Sequence, residues 1–114
     1  QAMEAKAENY AWGERFDTVA SIGLLMFLPC ATARQILVRL KDAVRENGTL
    51  IVNVLIRGTT YLDMFGQSEY CLFDEDEVRG WFSDWHVVDF SIDEFEAPGN
   101  TLKRFATIIA KKIP

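Results

Sequence analysis

Between residues 16 and 56 the hydrophobic period of the chain switches from strand to helix and back, which restricts the fold more than any other feature. Residues 16–23 (FDTVASIG) carry small or apolar side chains on both alternating faces. That pattern predicts a strand inside a parallel sheet, with helices covering both sides. From about Ala31 the period becomes helical, with Ile36, Leu37, Leu40, Ala43 and Val44 on one stripe and Arg34, Arg39, Lys41 and Arg45 mostly off it. Asn47-Gly48 is expected to stop the helix, Gly48 taking the left-handed conformation beyond the last turn. Residues 49–56 (TLIVNVLI) then read as a second buried strand, completing a strand–helix–strand unit.

Beyond Arg57 the chain loses its periodicity over residues 58–72, and ordered loops of that length are often functional. Asp74 and Glu77 form a pattern like a capping box, opening a short helix with Val78, Trp81 and Phe82 as its buried stripe. Residues 85–95 and 102–111 alternate as strands, and Ala97-Pro98-Gly99-Asn100 between them predicts a tight turn and an antiparallel hairpin. The order β-α-β-loop-α-β-β is an α/β fold. Residues 4–12 fit either a helix or an irregular lead-in. Gln1-Ala2-Met3 looks like a tag remnant, so residues 1–15 are set aside as a lead-in and 16–114 taken as one domain.

Composition closes several function classes. The chain has 114 residues, 49% hydrophobic and 12% aromatic, enough for one domain with a real core. A net charge of -5 without clustered Lys and Arg disfavours a phosphate-backbone binder, so no nucleic-acid partner is expected. The acidic runs 74–77 and 93–96 read as solvated surface. The longest apolar run, 22–29, is too short to span a bilayer, and no signal peptide is visible, so a cytoplasmic protein without a membrane partner is expected. Cys30 and Cys71 stand alone, with no CxxC and no nearby His; two reduced, buried thiols and no metal site are expected.

Three segments resemble a known family. FDTVASIGLLMFLP is similar to the fourth strand and following loop of class I S-adenosylmethionine-dependent methyltransferases. LVRLKDAVRENGTLIVNVLI is similar to their next helix, Gly turn and fifth strand, with Glu46-Asn47-Gly48 in place of the common Pro-Gly-Gly. CLFDEDEVRGWFSDWHVVDF with KRFATIIAKK resembles the closing elements of tellurite-resistance-type and other small-molecule methyltransferases. The likeness runs from about Glu8 to Lys112 and implies the C-terminal half of a Rossmann-like sheet: strands four to seven, a parallel pair plus an antiparallel terminal hairpin, with strand seven between five and six.

The resemblance implies S-adenosyl-L-methionine as cofactor and a small-molecule methyl acceptor. Ser21, Ile22, Gly23 and Leu24 would face the cofactor largely through backbone atoms, with Met26 and Phe27 nearby, because ligands in open α/β sheets sit beyond the carboxyl ends of strands. Leu25 and Leu28 read as core. In the 58–72 loop, Tyr61 and Phe65, with Met64 and Tyr70, can wall the acceptor side or simply anchor the loop. His86 and Arg104 are not expected to be catalytic, and no catalytic residue is assigned. The family's adenine-side acid would fall near Lys6 or Glu8. The family's Gly-rich cofactor loop has no counterpart, since the seven glycines lie eight or more residues apart. These residues are therefore expected to be a fragment, inactive alone, and to form homo-oligomers through the bared edge of the fourth strand. The alternatives are a non-catalytic half-domain that assembles with a partner, and an unrelated small α/β binding module.

Overall fold

The computed structural model describes residues 2–3, 15–66 and 69–114. The elements are β1 (Ala2–Met3), β2 (Phe16–Ile22), α1 (Cys30–Ala43), β3 (Val44–Leu55), α2 (Glu75–Gly80), β4 (His86–Ala97) and β5 (Thr101–Lys111), with 3-10 turns at Leu25–Phe27 and Asp63–Phe65. They form one five-stranded sheet in the order β1-β2-β3-β5-β4. β1, β2 and β3 run parallel; β5 lies antiparallel to both β3 and β4. The expected parallel pair and terminal hairpin are present, with the last strand inserted between β3 and β4. Ala2 and Met3, set aside as a tag remnant, pair with Thr18 and Val19 and cover part of the outer edge of β2. Residues 4–12, expected as a helix or an irregular lead-in, lie outside the described residues, and Lys6 and Glu8 with them.

The core forms on one face of the sheet. Every second residue of β3 (Leu50, Val52, Val54) is buried, and these pack in one cluster with Val19, Ala106, Ile108, Ala110 and the α1 stripe of Ala33, Ile36, Leu37, Leu40 and Ala43. Each aliphatic side chain withdrawn from water contributes about 1.5–3 kcal/mol, so this stripe sets how α1 docks. Val78 and Phe82 join the cluster from the α2 side, and Trp81 packs on its margin. Among the described residues both helices contribute to the same core, while Thr18, Ala20, Thr49, Ile51, Asn53, Thr107 and Ile109 on the other face stay half-exposed. Asn53 and Thr107 join across that face, Nδ2 donating to Oγ1 at 2.9 Å.

Helix α1 ends four residues before the expected stop. Val44, fully buried beside Phe16, is already extended (φ -88°, ψ 132°). The helix can end there because Lys112 Nζ donates to the carbonyls of Lys41 and Val44, at 3.0 Å each. A basic side chain at a helix C-terminus satisfies the orphan carbonyls that a glycine cap would otherwise serve. Asn47, not Gly48, takes the left-handed conformation (φ 65°). Gly48 serves close approach instead: a Cβ there would lie 2.7 Å from Val44 Cγ1, 2.8 Å from Asp17 O and 2.9 Å from Arg45 O. Two of those three atoms are backbone and cannot turn away. Gly48→Ala is expected to destabilise by about 1–3 kcal/mol, as overpacking typically does; a denaturant midpoint matching the parent's would contradict this.

Two further expectations change. Asp74 does precede α2, but its side chain makes no capping bond; it pairs with Arg57 at 3.1 Å. Glu77 is drawn to α1 instead, where Arg34 donates to both its carboxylate oxygens at 2.7 and 3.0 Å. That hydrogen bond from Arg34 holds the Glu77 carboxyl below its ordinary range despite partial burial, with Trp81 Nε1 assisting. The larger correction concerns the cysteines. Cys30 and Cys71 are joined in a disulfide, with Cα atoms 4.9 Å apart, and are not two reduced thiols. Neither belongs to a short motif, and only the fold brings them together across 41 residues.

Candidate functional site

The carboxyl ends of β2 and β3 open onto two connecting segments. At the end of β2, Gly23 turns the chain through a left-handed conformation (φ 68°), a region other residues enter only at a cost. Its amide donates to Asn53 O at 3.1 Å, and a Cβ built there meets nothing within 4 Å among the described residues. The 3-10 turn follows, buries Leu25 and Met26, and leaves Phe27 47% exposed. Ile22, the last residue of β2, is 58% exposed. Ser21 points the other way: its side chain is buried, and its hydroxyl oxygen has no hydrogen-bond partner among the described residues. Of the residues expected to face a cofactor, Gly23, Ile22 and Phe27 therefore border solvent. Leu24 is half-buried, and Ser21 can contribute only backbone atoms.

The segment after β3 is held at both its ends despite its lack of periodicity. Where β3 stops pairing, Thr59 and Thr60 continue along β5. Thr59 Oγ1 donates to Arg104 O and accepts from Arg104 N, at 3.2 and 2.9 Å. Thr60 N donates to Leu102 O at 2.8 Å, and Leu102 N donates to Thr60 Oγ1 at 2.9 Å. On its return the segment is held by Phe73, whose amide donates to Leu55 O, while Arg57 N donates to Phe73 O. Cys71 N donates to Met26 O at 2.9 Å, directly joining this arm to the 3-10 turn after β2. The two threonines carried no hydrophobic signal. A Thr-Thr pair just past a strand end is the cue sequence reading passed over.

A run of aromatic rings lines the junction. Phe65 lies 5.2 Å from Phe27 and stacks on Tyr70 at 4.5 Å, with 13° between the planes. Each such pair adds about 0.5–1.5 kcal/mol beyond its burial. Phe65 is buried on a small second core with Met26 and Leu55, against which Met64, Leu72 and Phe105 pack. It therefore supports the wall, whose open surface is formed by Phe27 and Tyr70, both more than a third exposed. Tyr61 is half-buried; its amide donates to Leu102 O, and Lys103 Nζ sits 5.1 Å from its ring centroid. The structure gives Tyr61 no ring contact with Phe27, Phe65 or Tyr70.

The charged residues gather elsewhere. A polar cleft of about 560 Å³ is lined by Arg57, Arg104 and the acidic residues 74–77. Arg104 is fully engaged there, pairing with Glu75 at 3.3 Å and Glu94 at 3.2 Å and donating to Arg57 O. His86 is exposed at the start of β4. Among the described residues no group of three His, Cys, Asp or Glu side chains can hold a metal ion. No helix among them is long and apolar enough to cross a membrane.

By sequence, the chain matches no protein-family model and no curated protein. Solved structures do match it. TehB from Haemophilus influenzae superposes over 88% of this chain with a TM-score of 0.70 and 20% identity. A SAM-dependent methyltransferase from Methanosarcina mazei superposes over 96% with a TM-score of 0.68 and 17% identity. The Burkholderia thailandensis 1,6-didemethyltoxoflavin-N1-methyltransferase, bound to 1,6-didemethyltoxoflavin and S-adenosylhomocysteine, superposes over 95% with a TM-score of 0.65 and 20% identity. The chain spans 36%, 65% and 48% of these three proteins respectively. It has the fold of the C-terminal portion of a class I S-adenosylmethionine-dependent methyltransferase.

Proposed function

We propose that these residues are the C-terminal portion of an S-adenosylmethionine-dependent methyltransferase acting on a small molecule. The observation that carries this reading is the strand order: a parallel pair followed by a hairpin whose second strand returns between β3 and β4. The cofactor supplies a methyl group on a sulfonium, already equipped with a good leaving group. The protein's share is then positioning and exclusion of water, with no acid–base pair required. In this reading the backbone of Ser21, Ile22, Gly23 and Leu24, with the ring of Phe27, lies along the cofactor. Gly23, with no described neighbour where a Cβ would stand, lets a ligand approach the backbone closely, and the exposed Ile22 and Phe27 offer apolar surface to its adenine ring. Tyr61 and Phe65 belong to the acceptor side, Phe65 by supporting Tyr70. The toxoflavin-type acceptor of the Burkholderia relative supports a small-molecule substrate; tellurite chemistry rests only on the likeness of the closing segment. A cytoplasmic location belongs to the same reading.

We further propose that these 114 residues do not hold the cofactor by themselves, because no Gly-rich turn is encoded in them. Titration calorimetry with S-adenosylhomocysteine is expected to show no binding up to millimolar ligand. Adding a Gly-rich strand–loop–helix half ahead of the chain is expected to restore it, and Gly23→Val to weaken it again. Micromolar binding by the chain alone would overturn the proposed dependence. Failure of the extended protein to bind would overturn the methyltransferase reading.

A second reading, assembly with another copy, is favoured by the outer edge of β2, where among the described residues no strand pairs with Ala20, Ser21 or Ile22 beyond the two residues that β1 covers. Unpaired strand edges recruit partners. Sedimentation at high concentration is expected to show a dimer or larger species, and a clean monomer would count against it.

A further inference from the structure

We infer that Cys30 is a thiol–disulfide exchange site, and that the Cys30–Cys71 bond is a reducible latch holding the 58–72 segment against the end of β2. The two sulfurs belong to opposite walls of the aromatic junction. Cys30 is the first residue of α1, immediately after the turn that carries Phe27. Cys71 lies on the returning arm, one residue beyond Tyr70. The bond between them is therefore the covalent tie across the junction. Among the described residues the other ties there are the hydrogen bond from Cys71 N to Met26 O, the packing of Met26 with Phe65 and the Phe27–Phe65–Tyr70 ring contacts. The outgoing arm is held separately, by Thr59 and Thr60 on β5.

Two features of Cys30 suit it to exchange. It is partly exposed, whereas Cys71 is 1% exposed, so Cys30 is the side from which an incoming thiolate can approach the bond. It also opens a 14-residue helix whose first turn holds no acidic residue and whose N-cap, Pro29, makes no side-chain capping bond. The first-turn amides and the helix dipole are thus available to stabilise negative charge on the Cys30 sulfur once it is released. Stabilising the reduced form in this way makes a disulfide easier to reduce.

The partner is a dithiol reductant. One of its thiolates attacks Cys30 Sγ, the S–S bond breaks, and Cys71 leaves as a thiolate and takes up a proton. The reductant's second thiolate then attacks the mixed disulfide and displaces Cys30, which is protonated in turn. Two electrons pass to the protein, which ends with two thiols, and the reductant ends as a disulfide. Release of the tie frees the returning arm with Tyr70 while β3 and β5 remain paired, a local opening within an intact sheet. The latch lies on the loop that the functional reading places beside the methyl acceptor. Its test reads the loop and not methyl transfer, so either proposal can fail alone.

The test is amide hydrogen exchange of the full chain, oxidised and after dithiothreitol, well below the reduced protein's unfolding midpoint. On reduction, exchange across 58–72 is expected to rise at least tenfold by a local opening that does not depend on denaturant, while β3 and β5 exchange only through global unfolding and track the fall in overall stability. Loop protection is expected to return when a glutathione redox buffer reoxidises the pair. In Cys71→Ser, oxidised glutathione is expected to form a stable adduct on Cys30. Cys30→Ala/Cys71→Ala is expected to match the reduced form and to ignore the redox buffer. Unchanged exchange in 58–72 on reduction would overturn the latch. So would loop and strand amides that exchange in the reduced form with one common, denaturant-dependent free energy, or a double variant that does not fold, since either makes the bond a global staple alone. Absence of an adduct on Cys30 would overturn its assignment as the exchange site.

Discussion

Phe73→Ala is expected to lower the unfolding free energy by about 3–5 kcal/mol, the range for truncating a fully buried phenylalanine. Phe73 is 1% exposed, and its ring meets Trp81 edge-on at 5.1 Å, with 81° between the planes. Its backbone bridges the end of β3 through Leu55 O and Arg57 N, so alanine keeps those bonds and removes only the ring. The loss is thus transfer energy plus a cavity that rigid neighbours on β3 and α2 cannot close. In denaturant the midpoint should fall while the slope stays constant, since the same surface is exposed on unfolding. Phe95→Ala provides the contrast: that ring is 54% exposed on β4 and should matter far less. Equal losses at the two positions would mean that the core does not end where the structure places it.

Removing the disulfide is expected to cost a comparable amount. Closing a loop of about 40 residues restricts the unfolded chain by roughly 4 kcal/mol in the chain-entropy treatment, for the 41-residue separation of Cys30 and Cys71. At several degrees of midpoint per kcal/mol for a domain of this size, the thermal midpoint should drop by roughly 15 °C or more. The measurement is thermal unfolding of the oxidised chain against Cys30→Ala/Cys71→Ala, with thiol titration confirming that the parent holds no free thiol. Free thiols in an air-oxidised parent, or coincident midpoints, would remove the bond from the account of stability.

These two residue sets also mark where sequence reading stops. Phe73 was legible only as part of a segment resemblance, because a lone aromatic before an acidic run has no periodicity to place it. The helix stripe from Ile36 to Ala43, the buried alternation of β3 and the turn around Gly99 were legible, because each is a local pattern of period 3.6 or 2 or a turn motif. The end of α1 was not, because it is set by Lys112, 68 residues from Val44. Glu77 likewise fits a capping box by spacing, yet Arg34 on another helix offers it a charged, bidentate partner that outcompetes one backbone amide. Among candidate site residues, Gly23 and Phe27 lie where a strand end predicts them. Tyr70, which shares the open surface of the wall with Phe27, was overshadowed by Phe65, because exposure within an aperiodic loop leaves no trace in the sequence.

The placement of β5 between β3 and β4 also governs how the sheet is assembled as the chain is made. β4 leaves the ribosome with no neighbour to receive its backbone groups, and the edge of β3 facing it stays open too. Both are satisfied at once when β5, the later-synthesised strand, folds back over the turn at Gly99 and slides into the gap. Until then the newborn protein carries two unpaired borders and exposes the buried sides of Val52 and Val54. The growing chain therefore needs protection longest just before its last strand emerges.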